Sequence, residues 1–262
     1  MSATNRSPVV VSYGGGTNST AMLIGMVDRG EPVDLILFAD TGGERPGTYT
    51  YLRLFSDWLQ ERGYPAIETV HYTDRDGNRV TLEERSLITE RLPSLAYGFK
   101  KCSMRFKRDP QNKRVNNWQP ARDAWKRGDK VIKLLGFDAD EPHRARDMDD
   151  KKYRYLYPLV VWNWGREECV EQIEAAGLPQ PGKSSCFFCP AMKPREILRL
   201  KQCHPDLLER ALEIERKAAP HCRGSIVGLG RDWTWQSAIK ADEAQLKMFS
   251  HHMDTACGCY DG

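Results

Sequence analysis

The first half of the chain alternates short apolar runs with segments of helical periodicity. Four of the runs have the length of a strand, and they cover residues 8–12, 33–40, 67–72 and 131–137. Residues 46–62 carry apolar side chains at helical spacing, and Gly63 occupies the position of a helix stop. Strands that alternate with helices of this length predict an α/β fold with a doubly wound, mostly parallel sheet.

The pattern changes near residue 160, after which helices follow one another without strands between them. We predict helices over residues 166–176, 194–202 and 205–218, with a cysteine-bearing loop over 178–193. The chain is therefore divided into an α/β domain, residues 1–160, and a helical region, residues 161–262, that carries a Cys-x-x-Cys pair and a cysteine-rich tail.

Composition narrows the class of protein. The 262 residues are 40% apolar, which is enough to bury one large core. No apolar run approaches the roughly 18 residues of a membrane span, and the first residues lack the basic start and apolar stretch of a signal peptide. We therefore expect a cytoplasmic protein with no membrane partner. Eight cysteines in a reducing compartment indicate metal binding or catalysis rather than disulfides.

The strongest local feature is a glycine-rich loop between the first predicted strand and the helix after it. Its phosphate-binding candidates are Ser12, Gly14, Gly15, Gly16, Thr17, Asn18 and Ser19. Glycines let a backbone approach phosphate oxygens, and a helix start offers free amides and about half a positive charge to an anion. The loop lacks the Gly-Lys-Ser/Thr of a P-loop and the third glycine of a dinucleotide fingerprint. A capped turn without a ligand is the alternative.

A second loop, Asp40-Thr41-Gly42, follows the second predicted strand as the glycine loop follows the first. Ligands of open parallel sheets bind outside the carboxyl ends of the strands. We therefore expect both loops to face one crevice.

The sequence GGGTNS resembles the SGGxDS loop of PP-loop enzymes, which hold the pyrophosphate part of ATP and cleave between the α and β phosphates. Gly14 stands where that family usually has serine, and Asn18 stands where it has aspartate. The resemblance implies an adenine nucleotide, ATP or a related one, bound with Mg²⁺. Because asparagine lacks the carboxylate that the family has at position 18, Mg²⁺ binding could differ from that of the family. A weakened pyrophosphatase is therefore an alternative.

Two further segments resemble the phosphoadenosine phosphosulfate reductase-like branch of that superfamily. FADTGGERPGTYTYL is similar to its second-strand motif, which implies that Asp40, Thr41 and Glu44 are the polar candidates near the nucleotide. GFDADEPHRAR is similar to its G-x-x-x-x-E-x-x-R element. This implies nucleotide contacts by Gly136 and Arg144 and a catalytic role for Glu141. A surface ion pair between the last two residues is the alternative.

Cysteine spacing is the second strong feature. KCSMRFKRDP resembles the Cys-Cys, Lys and Pro element of assimilatory sulfonucleotide reductases, and KSSCFFCP supplies a later Cys-x-x-Cys. The resemblance implies a catalytic role for Lys107 and a 4Fe-4S cluster on Cys102, Cys186 and Cys189, with Ser103 in place of the fourth cysteine. Zinc and unmetallated thiols are the alternatives, because thiolates suit both metals. A closed site would take a fourth ligand from Cys203, His204 or Cys222.

The tail ACGCYDG resembles the E-C-G-x-H tail of phosphoadenosine phosphosulfate reductases, whose cysteine attacks sulfur. By position Cys257 is the candidate nucleophile, although the Glu and His of that tail are absent and Cys259 is added. Such a pair could deliver a persulfide or resolve a disulfide. The alternatives are incidental cysteines in a loose tail, or a second metal site with His251 and His252.

The segment 100–133 is basic, with twelve Lys or Arg against three Asp, and it contains Trp118 and Trp125. Such a segment can contact a nucleic-acid or nucleobase acceptor. A solvated helical face is the alternative.

Three functions follow as hypotheses. The first is sulfur transfer to an acceptor activated by ATP, with a cysteine desulfurase as a partner. The second is reduction of adenylyl sulfate or its 3′-phosphate to sulfite, with Cys257 as nucleophile and thioredoxin as reductant. The third is a catalytically silent, zinc-stabilised nucleotide-binding module. A homodimer is compatible with each.

Overall fold

The structure of the protein is a computed structural model that describes residues 6–242 and 244. The chain divides into two compact units. The first unit contains Met1–Thr81 and Ser103–Cys186, and the second contains Leu82–Cys102 and Phe187–Gly262. This division differs from the expected boundary at residue 160, because residues 161–186 belong to the α/β unit and residues 82–102 belong with the C-terminal helices.

The first unit is built on a five-stranded sheet with the order β3-β2-β1-β4-β5. Its strands are β1 (Val9–Tyr13), β2 (Leu35–Asp40), β3 (Ile67–His71), β4 (Val131–Leu135) and β5 (Tyr153–Leu156). Every neighbouring pair is parallel, and the central strand β1 sets Val10 opposite Leu35 on one side and Lys133 on the other. The four predicted strands are confirmed to within two residues at each end, and β5 was not predicted.

Ten helices have defined bounds within the described residues. In chain order they are α1 (Thr17–Asp28), α2 (Pro46–Gln60), α3 (Leu82–Thr89), α4 (Lys101–Ser103), α5 (Asp109–Asn116), α6 (Gln119–Lys126), α7 (Pro158–Val161), α8 (Arg166–Ala175), α9 (Pro194–Cys203) and α10 (Pro205–Ala218). A π-helical turn, Met104–Arg108, joins α4 to α5. The predicted helices over 46–62, 166–176, 194–202 and 205–218 are confirmed. Gly63 has φ +78° just past α2, as a helix stop requires. No helix of the described chain is long and apolar enough to span a membrane.

Side chains of the sheet alternate between two apolar cores, one on each face. Val11 and Phe38 belong to the core covered by α1, α2 and α8, while Val10 and Leu37 belong to the core covered by α5 and α6. Helices therefore pack on both faces of a parallel sheet, as a doubly wound fold requires. Cys169 of α8 is a fully buried member of the first core, and burial raises the pKa of its thiol to about 12.

Helix α8 explains why the predicted boundary at residue 160 falls inside the α/β unit. It packs along α1, and Cys169 and Ile173 share one core with the strands. A sheet face that lost this helix would expose apolar side chains to water, so α8 is part of the first unit.

The strand order changes direction at β1, whose neighbours β2 and β4 are each reached by a crossover connection. The loops that leave the carboxyl ends of β1 and β4 therefore diverge and leave a crevice between them. The glycine loop and Gly136 lie at these two strand ends.

The second unit is helical, and α10 is its central element. Arg210 of α10 pairs with the buried carboxylate of Glu83 in α3. Glu215 of α10 is also buried, and it accepts hydrogen bonds from the backbone amides of Leu229, Trp235 and Gln236. Charge-assisted bonds of this kind fix the loop that precedes the helical residues 235–242.

Candidate functional site

The glycine loop forms the turn between β1 and α1. Gly15 has φ +74°, a conformation that favours glycine, and the amide of Gly14 donates to the hydroxyl of Ser19 at 3.2 Å. That hydroxyl donates in turn to the carbonyl of Gly16 at 3.1 Å. Gly16 is the N-cap of α1 and has no side chain to cap the first-turn amides. Those amides, which have no partner within a helix, are therefore available to an anion.

Gly136 lies directly against the start of α1. A Cβ at this position would meet the Cα of Ser19 at 2.9 Å and its backbone nitrogen at 3.0 Å. Contacts this close leave no room for a side chain between the loop after β4 and the first turn of α1. The predicted site glycine is therefore explained by a close approach of two backbones.

A cleft with a volume of about 590 Å³ opens at these strand ends. Nine of the predicted site residues line it, namely Ser12, Gly14, Gly16, Thr17, Asn18, Ser19, Lys107, Gly136 and Arg144. Gly15 is not among the lining residues, but its backbone conformation shapes the loop. The cleft has the size and place expected for a small-molecule site of an open α/β sheet.

The cleft is electropositive. Four cationic side chains line it, those of Lys107, Arg144, Arg166 and Lys183, and no described lining residue is a carboxylate. Together with the amino end of α1, these charges favour an anionic ligand.

Lys107 lies on the π-helical turn, and its ammonium group is held by Glu44. The Nζ atom is 3.2 Å from Oε1 of Glu44, whose side chain is completely buried. A buried carboxylate depends strongly on such a partner, so this contact fixes the position of Lys107 at the cleft. The sequence-based catalytic candidate is thus placed beside the glycine loop.

Arg144 and Glu141 form an ion pair at the rim of the cleft. Both side chains are half exposed, and the guanidinium of Arg144 also lies 4.3 Å from the ring centre of Phe137. Glu141 does not line the cleft. This contact is the surface ion pair that the sequence allows as the alternative, and Arg144 also lines the cleft.

Asp40 is placed away from the cleft lining and is occupied by protein groups. Its carboxylate accepts from the amide of Gly42 at 2.7 Å, the hydroxyl of Tyr49 at 2.8 Å and the guanidinium of Arg79 at 2.9 Å. Burial and the bond to Asp40 raise the pKa of Tyr49, and burial with the nearby Arg79 charge lowers the pKa of His71. Asp40 therefore organises the loop after β2.

Thr41 contacts a cysteine rather than the cleft. Its hydroxyl lies 3.1 Å from the Sγ of Cys186, which is buried. In the second unit the backbone amide of Cys102 is bonded to Ser94, and Cys189 is half-buried. Among the described residues, no three Cys, His, Asp or Glu side chains form a group that could hold a metal. A 4Fe-4S cluster or a zinc ion on Cys102, Cys186 and Cys189 stays a prediction. Cys257, Cys259, His251 and His252 lie outside the described residues.

Sequence reasoning missed three polar residues of the cleft. Arg166 begins α8, and Lys183 and Ser184 precede the Cys-x-x-Cys pair. The hydroxyl of Ser184 donates to the carbonyl of Gly14, so the 182–184 segment packs directly on the glycine loop. The run Gly-Lys-Ser-Ser could have suggested an anion contact, whereas nothing near Arg166 in the sequence does.

Several basic side chains of the segment 100–133 form ion pairs or hydrogen bonds within the protein. Arg114 pairs with Glu68 through its Nε and Nη2 atoms, and Arg127 and Lys130 also pair with carboxylates. Lys133 is buried on β4 and donates to Asn112 at 2.6 Å, and burial lowers the pKa of its amine to about 8. A contact between this segment and a nucleic-acid acceptor stays a prediction.

Comparison with known proteins adds no relative. A scan against models of protein families finds no match, and a search of curated proteins finds none either. The function must therefore be inferred from the residues and geometry of the cleft.

Proposed function

We propose that the chain is a PP-loop enzyme of the phosphoadenosine phosphosulfate reductase-like branch, and that it binds ATP or a related adenine nucleotide in the cleft. The observation that carries the proposal is the convergence of the glycine loop, the amino end of α1 and four cations, with no carboxylate among the described lining residues. A nucleotide's phosphates complement the positive charge of this lining, although Lys107 and Arg144 also pair with Glu44 and Glu141 just outside it.

The volume of the cleft supports a ligand larger than a simple anion. About 590 Å³ lies in the middle of the range for small-molecule sites, which is roughly 300–1,000 Å³. The phosphates would lie on the loop from Gly14 to Ser19. The walls formed by Leu135 and Phe137 give the nucleoside an apolar surface.

The chemistry that we propose is activation of an acceptor for sulfur transfer. An oxygen of the acceptor attacks the α-phosphorus, the bond to the bridging oxygen breaks, and pyrophosphate leaves. A sulfur nucleophile then attacks the activated carbon, and AMP leaves with the acceptor's oxygen. Lys107 and the first-turn amides of α1 would stabilise the charge that develops on the phosphates. Cys257, the candidate sulfur carrier, lies outside the described residues.

The test combines ATP binding with product analysis. Wild-type protein should bind ATP and release pyrophosphate with AMP when an acceptor is present. Lys107→Gln should lower that rate about 100-fold, because one stabilising donor is lost. Lys151→Gln removes the same charge from an exposed position outside the cleft and outside the basic segment 100–133, and it should have no effect.

The outcomes separate the three hypotheses. Sulfite release from adenylyl sulfate would favour reduction over sulfur transfer. ATP binding without turnover of any acceptor would favour a silent module. Failure to bind any adenine nucleotide would refute the proposed site.

A further inference from the structure

The amide side chain of Asn18 is held from both sides. Its Nδ2 donates to Oδ2 of Asp138 at 2.6 Å, and its Oδ1 accepts from Nη1 of Arg166 at 3.0 Å. An amide has one donor end and one acceptor end, so a carboxylate on one side and a guanidinium on the other fix its orientation. Asn18, the second residue of α1, therefore determines where the Arg166 guanidinium lies.

Asp138 makes this orientation hard to reverse. The residue is 5% exposed, and its second oxygen, Oδ1, has no hydrogen-bond partner among the described residues. A buried carboxylate with so few donors is stabilised by the hydrogen bond from the Asn18 amide. Rotation of that amide would break the bond and leave the carboxylate without it.

Arg166 keeps its positive charge available. Its backbone amide donates to Asp140 at 2.6 Å, which anchors the start of α8, while its guanidinium donates to a neutral amide oxygen. Within the described chain it forms no ion pair, in contrast to Arg144 and Lys107, which pair with carboxylates. An exposed guanidinium that lines a cleft without a neutralising carboxylate suits a phosphate.

We propose that Arg166 is a phosphate-binding residue of the cleft, and that Asn18 and Asp138 are positioning residues that hold its guanidinium at the amino end of α1. The inference rests on the proposed assignment of the cleft to a nucleotide's phosphates. Asparagine at position 18 is then required by its surroundings, because an aspartate there would place a second carboxylate 2.6 Å from Asp138.

The experiment titrates inorganic triphosphate and ATP into wild-type protein, Arg166→Gln and Arg53→Gln. Arg53 is an exposed residue of α2 outside the cleft, so its variant matches the loss of charge. Arg166→Gln should weaken triphosphate binding about tenfold or more and reduce its salt dependence, because a charge-assisted contact is lost. Arg53→Gln should bind as the wild type does.

The positioning role is tested by non-additivity. Asp138→Asn offers an amide that can donate to Oδ1 of Asn18 and so displace Arg166, which should weaken triphosphate binding. The same substitution in the Arg166→Gln background should cause no further loss of triphosphate affinity, because the arginine that Asp138 helps to position is already absent. If Asp138→Asn does not fold, Asn18→Ala replaces it in the cycle. Additive effects would overturn the positioning role.

The inference and the proposed function can fail separately. Equal triphosphate affinity of Arg166→Gln and the wild type overturns the inference, even if ATP binds. If triphosphate binding depends on Arg166 but ATP binds no better than triphosphate, the inference holds and the adenine-nucleotide assignment fails.

Discussion

Replacing Gly136 by alanine tests how closely the loop after β4 approaches the amino end of α1. The added Cβ would lie 2.9 Å from the Cα of Ser19, a contact with backbone rather than with a side chain that could rotate away. Overpacking of this kind destabilises proteins by about 1–3 kcal/mol. The start of α1 must also shift, which disturbs the amides that face the cleft.

The matched control is Gly47→Ala. Gly47 lies in the first turn of α2, and nothing lies within 4 Å of its added Cβ. Alanine should therefore be neutral or stabilise the helix by about 0.5–1 kcal/mol.

Urea unfolding measures the stability of each variant, and ATP titration measures its affinity for the nucleotide. Gly136→Ala should lower the urea midpoint at an unchanged slope and should weaken ATP binding under conditions where the protein remains folded. Gly47→Ala should lower neither the urea midpoint nor the affinity for ATP. If Gly136→Ala matches the wild type in both measurements, the close packing of the loop on α1 is not what shapes the site.

Two further predictions concern buried charges. Glu215→Gln should destabilise the second unit by about 1–3 kcal/mol in urea unfolding, because the carboxylate that accepts from Leu229, Trp235 and Gln236 is replaced by a poorer acceptor. An unchanged midpoint would contradict this. Burial lowers the pKa of Lys133 to about 8, so the unfolded chain binds more protons above that pH, and stability should rise between about pH 8 and the ordinary lysine pKa. Lys133→Met should remove this rise, and an identical pH profile in both proteins would refute it.

Much of the α/β unit was predictable because its signals are local. The strands β1 to β4 are apolar runs, and α2 carries an apolar stripe that ends at a glycine. The strand β5 was missed because Tyr153–Leu156 is short and lies at the sheet edge, where aromatic and charged residues alternate. The two units divide differently from the expected boundary at residue 160, because the packing of α8 on α1 is a contact between segments far apart in sequence.

The site was predictable where its function follows from backbone geometry. The glycine loop needed no knowledge of distant contacts, whereas Gly136 was identified by its place in the G-x-x-x-x-E-x-x-R pattern and its contact with Ser19 was not foreseen. Arg166 and Asp138 were not found, because their roles depend on hydrogen bonds to Asn18 across 148 and 120 positions of the chain. Asp40 was expected near the ligand, yet its bonds to Arg79 and other protein groups give it a structural role that its motif does not reveal.

The most direct test of the proposed nucleotide site is the mapping of backbone amide chemical shifts during titration with ATP. The account predicts the largest changes at Gly14 to Ser19 and at Gly136, with little change along α10. Arg166→Gln should bind ATP more weakly, so its chemical shifts should need more ATP to reach saturation or should not reach it. Absence of shifts at millimolar ATP, or shifts that cluster outside the cleft, would contradict the assignment of the cleft to an adenine nucleotide.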